Sequence, residues 1–170
     1  RESVQGQKAY DDLESIGEPI DLAVVATPAR TVPGIVEQCG VYGIKSMIIL
    51  SAGFREVGEQ GRALEEKVRD AARTHGIRFM GPNCLGLIRP SLGLNATFGN
   101  NSAAEGSIAL VSQSGALCTS ILDWAENRDV GFSAVVSTGI GADVDFGDIL
   151  DFLASDNKTE SIILYVEGLT

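Results

Sequence analysis

Short apolar runs and amphipathic stretches alternate along this chain. Leu22–Thr27 is rich in β-branched and small residues and is bounded by Asp21 and Pro28, which predicts a buried strand. Val32–Val41 has helical spacing and closes in the Gly40 and Gly43 region. Ser46–Leu50 predicts a second strand, ended by Ser51-Ala52-Gly53. Glu59–His75 predicts a long charged helix with Leu64, Val68, Ala71 and Ala72 on one side and Gly76 as its stop. Arg78–Met80 predicts a short strand. The stretch from Gly81 to about Gly106 is dense in Gly, Pro, Asn and Ser and reads as loop and linker. The alternation then restarts with strand Ser107–Val111, helix Gly115–Asn127, strand Phe132–Ser137, helix Gly147–Ala154 and strand Ser161–Val166. Near the start, Tyr10, Leu13 and Ile16 recur at spacings of three and predict a helix over Lys8–Ile16.

Alternation of this kind predicts an α/β fold with parallel sheets covered by helices. The restart after the Gly/Pro-rich stretch divides the chain into residues 1–100, the later part of one α/β domain, and 101–170, the first part of another. Arg1 is not an initiator and Thr170 directly follows a strand, so the sequence reads as an internal fragment.

Charge narrows the class. The 170 residues hold 13 Lys plus Arg against 23 Asp plus Glu, a net charge of −10. The resulting pI of about 4.5 argues against general nucleic-acid binding and against a polybasic membrane anchor. No apolar run is long enough to span a bilayer, and no signal-peptide pattern opens the chain. Cys39, Cys84 and Cys118 are widely spaced and odd in number, which points to reduced thiols in a cytoplasmic protein. His75 is the only imidazole, so no site built from two histidines of this chain exists.

In open parallel sheets ligands bind at the carboxyl ends of strands. Four such ends are unusual here: Ala26-Thr27-Pro28-Ala29, Leu50-Ser51-Ala52-Gly53, Gly81-Pro82-Asn83-Cys84-Leu85-Gly86 and Ser112-Gln113-Ser114-Gly115-Ala116. The last joins a strand to a helix start, where free N–H groups and the helix dipole favour an anion such as phosphate. The alternative at that position is plain N-capping by Ser112 or Ser114. A hydrolase nucleophile elbow would need Gly where Ser112 and Ala116 stand. Gly139-Ile140-Gly141 lacks the third glycine of a dinucleotide fingerprint. Asp143, Asp145 and Asp148 read as helix-capping acids and not as a metal site. Cys84 reads as a packing residue, His75 as a helix-end residue and Trp124 as core.

Taken together and in order, these motifs resemble the NDP-forming acyl-CoA synthetases, the superfamily that includes the succinyl-CoA synthetase α subunit. Asp156-Asn157-Lys158-Thr159-Glu160 and Tyr165-Val166-Glu167-Gly168 continue the match, which covers nearly the whole chain. The resemblance implies part of a Rossmann-like CoA-binding domain followed by the start of a flavodoxin-like succinyl-CoA-ligase domain. Thr27, Pro28, Ala29, Leu50, Ser51 and Ala52 would line CoA, with Asn83 and Cys84 near its thiol end. Ala52 departs from the succinyl enzymes, which carry a glutamate there. Ser112, Gln113, Ser114 and Gly115 would hold the phosphate carried by a phosphohistidine, and Glu167 would orient that histidine.

The implied reaction is acyl-CoA + ADP + phosphate ⇌ acid + ATP + CoA, through an acyl phosphate, for a short acid such as acetate. The glycine-rich CoA turn would lie before Arg1 and the phosphorylated histidine beyond Thr170. Mg²⁺ and ATP or ADP would be bound by an ATP-grasp domain or subunit absent from this chain, within an oligomer, so the chain alone would not complete the reaction. The resemblance also extends to the synthetase-like sensor region of bacterial protein lysine acetyltransferases, which shares Ile121-Leu122-Asp123-Trp124-Ala125 and lacks the histidine. The restart of strands after Ser107 argues against a stand-alone CoA-binding protein.

Overall fold

The computed structural model describes residues 2–168. The chain opens with two-residue strands, β1 (Ser3–Val4) and β2 (Gln7–Lys8), paired antiparallel. The helix expected over Lys8–Ile16 is absent, and only Glu14–Ile16 forms a single 3₁₀ turn ended by Gly17. Asp12 accepts the backbone N–H of Ser15 at 2.8 Å, so a side chain competes here with helix hydrogen bonds.

Three parallel strands follow in spatial order, β3 (Ala23–Val25), β4 (Ser46–Ile49) and β5 (Arg78–Met80). Helices α1 (Val32–Tyr42) and α2 (Glu59–His75) are the crossovers between them. Val25, Met47, Ile49 and Phe79 form one buried cluster with Val32, Val36 and Cys39 of α1 and Val68, Ala71 and Ala72 of α2. His75 sits in the last turn of α2 with Nε2 2.7 Å from Glu37 Oε2 on α1, a helix-end contact as expected.

The second sheet begins earlier than its sequence pattern suggests. The supposed linker contains β6 (Gly86–Arg89) and β7 (Leu94–Thr97), an antiparallel hairpin. They join β8 (Glu105–Ser112), β9 (Phe132–Ser137) and β10 (Ser161–Tyr165) in the order β10-β8-β9-β6-β7. β10, β8 and β9 are parallel, and β6 is antiparallel to β9. Helix α3 (Gly115–Glu126) covers one face over Leu110 and Val135. Helix α4 (Phe146–Ser155) covers the other over Ala109, Val111, Ala134 and Val136. Strands buried on both faces are what helices on both sides of a sheet require.

Two sequence expectations resolve here. Asp145 caps α4 in a capping box with Asp148, and Asp143 and Asp148 both bind Arg78, so these aspartates are structural. No group of three or more metal-ligating side chains occurs among the described residues. Trp124 is not core: it is 52% exposed, and Arg128 stacks 4.9 Å from its ring centre. No helix among the described residues is long and apolar enough to cross a membrane.

Candidate functional site

The carboxyl ends of β3, β4 and β5 lie along one edge of the first sheet. After β3, the Pro28 carbonyl accepts the Thr31 N–H at 2.9 Å and the Thr31 hydroxyl at 2.8 Å, and that hydroxyl also lies 2.9 Å from Thr27 Oγ1. Thr27 and Pro28 are thereby held in an exposed turn, with Ala29 half-buried. After β4, the Glu56 carboxylate accepts the N–H groups of Gly53 (2.6 Å) and Phe54 (3.0 Å). Phe54 is fully buried and Arg55 pairs with the buried Glu65 of α2. Burying Phe54 contributes about 2–3 kcal/mol relative to leaving it exposed. This turn is therefore anchored from both sides, with Leu50 and Ser51 half-buried and Ala52 exposed.

The loop after β5, Gly81 to Gly86, touches both sheets. On the first side, Asn83 donates its N–H to the Ser51 carbonyl at 2.9 Å. Asn83 is itself exposed. The Cys84 thiol is buried and donates to the Ile49 carbonyl at 3.4 Å, and burial pushes its pKa up to about 12. It packs, as its residue type suggests, and any ligand contact at this position falls to the backbone.

On the second side, Leu85 donates its N–H to Ser137 Oγ at 3.0 Å. Ile140 and Ala142 donate theirs to the Pro82 and Gly81 carbonyls at 3.0 and 2.9 Å. Gly139 is required in this contact. Its φ is +55°, and a Cβ there would collide with the carbonyls of Pro82 and Asn83. Gly139-Ile140-Gly141 is thus the seam with the Gly81–Gly86 loop.

Ser114 starts α3 as its N-cap, accepting the Leu117 N–H at 3.3 Å. Ser112 is fully buried, and its hydroxyl both accepts the Ser114 N–H and donates to the Ser114 carbonyl, each at 3.0 Å. Both hydroxyls thus shape the turn, so an anion at this position would meet backbone N–H groups and not these side chains. A Cβ on Gly115 would stand 3.1 Å from Leu85 Cβ, so the helix start lies directly against the loop after β5.

Gln113 reaches across to the end of β10. Its Oε1 accepts the N–H groups of Glu167 (2.5 Å) and Gly168 (3.1 Å), and its Nε2 donates to the Gly168 carbonyl at 2.9 Å. Glu167 is exposed. A cleft of about 230 Å³ opens beside this clamp, among Gln113, Thr138, Ile140, Gly141, Phe146 and Gly168. It lies where the carboxyl ends of β8, β9 and β10 meet. A larger, almost wholly apolar hollow of about 290 Å³ lies elsewhere, between α4 and the β6–β7 hairpin.

Sequence reasoning did not single out Ser137, Thr138 or Glu56. The first two end an apolar run at Gly139, the same signal as the four strand ends chosen. Glu56 carried no signal, because its role depends on a turn that folds back on it.

Residues 1–90 match the family described as the CoA binding domain. The chain belongs to that CoA-binding domain family. Residues 105–170 of this CoA-binding family member match the succinyl-CoA ligase like flavodoxin domain. Among its relatives is the ADP-forming acetate–CoA ligase I of Archaeoglobus fulgidus, 40% identical over 98% of this chain and 24% of that protein. The α subunit of the Pyrococcus furiosus ADP-forming acetate–CoA ligase I is 41% identical over 95% of this chain and 35% of the relative. The chain spans about a quarter to just over a third of the length of such relatives. Among solved structures, the dinucleotide-forming acetyl-coenzyme A synthetase 1 of Candidatus Korarchaeum cryptofilum, in complex with phosphate and ADP, superposes with a TM-score of 0.93 at 35% identity. That match covers all of this chain and 36% of the other. A crystal structure from Pyrococcus horikoshii OT3 gives a TM-score of 0.94 at 41% identity, over 99% of this chain and 39% of that one. The resemblance to the NDP-forming acyl-CoA synthetases is borne out, as is the α/β fold with parallel sheets. These relatives are ligases, and the acetyltransferase sensor alternative is not favoured.

Proposed function

We propose that this chain is the CoA-binding and phosphate-binding part of an ADP-forming acyl-CoA synthetase that acts on a short acid such as acetate. The observation that carries this reading is the Gly81–Gly86 loop. One side of it is bonded to Ser51 at the edge of the first sheet, and the other abuts Leu85, Ser137 and the start of α3. A thioester carried along the first edge would therefore meet an anion at the helix start without leaving this loop.

In this proposal residues 1–100 form the CoA-binding half, whose β6–β7 hairpin adds to the second sheet, and 101–170 the start of the ligase half. Thr27, Pro28, Ala29, Leu50, Ser51, Ala52, Asn83 and the backbone of Cys84 contact CoA, the acyl carrier. The exposed or half-buried turns fit such a ligand, and the small side chains of Ala29, Ser51 and Ala52 leave it room. The Ser112–Gly115 turn shapes the positive end of α3 and holds phosphate there through N–H groups from Gly115 onward, which suits a transferring phosphoryl group stabilised mainly by electrostatics. Glu167 orients a histidine that takes the phosphoryl group. An ATP-grasp domain or subunit supplies Mg²⁺ and the nucleotide, and the complete protein works as an oligomer in the cytoplasm.

Phosphoenzyme formation tests the reading. The complete protein, incubated with labelled ATP and Mg²⁺, should take an acid-labile, base-stable phosphate that CoA plus acetate releases. Combining Ser114→Ala with Gly115→Pro should abolish the label and leave CoA binding within about twofold of the parent. A double variant that labels normally would overturn the role of the α3 start.

A further inference from the structure

The geometry points to Gln113 as a positioning residue that clamps the carboxyl end of β10, and not as a ligand of the anion. This rests on the proposed synthetase reading for its catalytic consequence, but the clamp itself rests on the hydrogen bonds alone.

The side-chain amide has an acceptor end and a donor end, and here both are committed. Oε1 takes two consecutive N–H groups, those of Glu167 and Gly168. Nε2 gives a proton to the Gly168 carbonyl. The backbone N–H of Gln113 adds a fourth bond, to the Tyr165 carbonyl at 3.1 Å. One residue thus continues the β8–β10 ladder by side chain for residues that follow the last paired positions of the two strands, Ser112 and Tyr165.

The chemistry of the position is selective. Glutamate could accept the two N–H groups but would set a second oxygen against the Gly168 carbonyl. Arginine or lysine could donate to that carbonyl but could not accept. Asparagine is one methylene too short to span the same gap. Among the described residues β10 pairs only with β8, and past Tyr165 the side chain of Gln113 takes over from that ladder. The hydrogen bonds of Gln113 hold Glu167 and Gly168 beside the cleft that Gln113, Thr138 and Gly168 line. Gln113 therefore acts on the reaction through the placement of Glu167.

Two measurements on the complete protein test this. The first is amide hydrogen exchange of Glu167 and Gly168 in the parent, Gln113→Ala and the near-isosteric Gln113→Met. Exchange at both amides should accelerate at least tenfold in each variant, with α3 amides unchanged. The second is the rate of phosphoenzyme labelling in Gln113→Ala, Glu167→Gln and the double variant. Gln113→Ala should slow labelling at least tenfold and leave the dissociation constant for CoA within twofold. In the Glu167→Gln background it should add less than a threefold further loss, because the two act as one unit. Unchanged exchange at 167 and 168 would overturn the clamp. An equal loss in both backgrounds would overturn it in favour of a direct anion contact by Gln113. A parent protein that takes no label overturns the synthetase reading and the catalytic consequence with it, while the exchange rates still decide the clamp.

Discussion

Cys84 and Ser114 show how much a side chain's neighbours decide. Cys84 stands in the loop that carries the proposed thioester end, yet its thiol is buried and pushed up to about 12. At pH 8 that leaves roughly one thiolate in ten thousand. Iodoacetamide should therefore spare Cys84 in the native protein and modify it once the chain is unfolded. Peptide mass spectrometry reads this directly, and rapid native labelling would contradict the burial. Ser114 was legible in the sequence both as a cap and as part of an anion site, because both depend only on a strand-to-helix turn. The structure realises the cap. Ser114→Ala alone should cost about 1 kcal/mol in a urea titration through loss of that cap. Gln113 had no such local reading, since its partners lie 54 and 55 residues away.

Elements were legible in proportion to how locally they are determined. α2 runs over Glu59–His75 and β9 over Phe132–Ser137 as their periodicity predicts. The β6–β7 hairpin was hidden because its glycines and prolines give the pattern of a loop. Pairing with β9 makes it part of a sheet, and that partner lies about fifty residues away. The opening segment failed for the opposite reason: apolar spacing suggested a helix where short-range hydrogen bonds hold a hairpin and a 3₁₀ turn. The turn after β4 was placed correctly at a strand end, but its anchorage was not visible. Arg55 reaches ten residues along the chain to Glu65, whose side chain is only 4% exposed. Arg55→Ala would leave that carboxylate buried and unpaired, a loss of about 3 kcal/mol. Thermal and urea unfolding should both register it, and a variant as stable as the parent would refute the anchor.

Across the molecule, one ionic contact ties together parts far apart in sequence. Arg89 at the end of β6 grips both oxygens of Asp156 at 2.7 and 2.9 Å, and Thr159 adds a hydroxyl donor. Arg89, followed by Thr159, holds the Asp156 carboxyl well below its ordinary value of 3.8. A carboxylate with a depressed pKa in the folded state stabilises fully above the unfolded value and loses that contribution as pH falls through the folded one. Asp156→Asn should thus be less stable than the parent by a constant margin from pH 7 to pH 5. The margin should shrink as acid is added below about pH 3.8. Urea midpoints at pH 7, 5 and 3 would show this, and a margin independent of pH would count against the pairing.

The sheet order also sets a schedule. The first sheet uses strands between residues 23 and 80 in chain order, so it can assemble as soon as that stretch leaves the ribosome. The hairpin comes next, but β6 finds β9 only after residue 137 has been made. Until then one edge of β6 stays open, and closing it requires a loop of some fifty residues, which slows formation of the second sheet relative to the first. The second sheet is therefore the later half to become native during synthesis, and its waiting edge is where the nascent chain most needs protection from other strands.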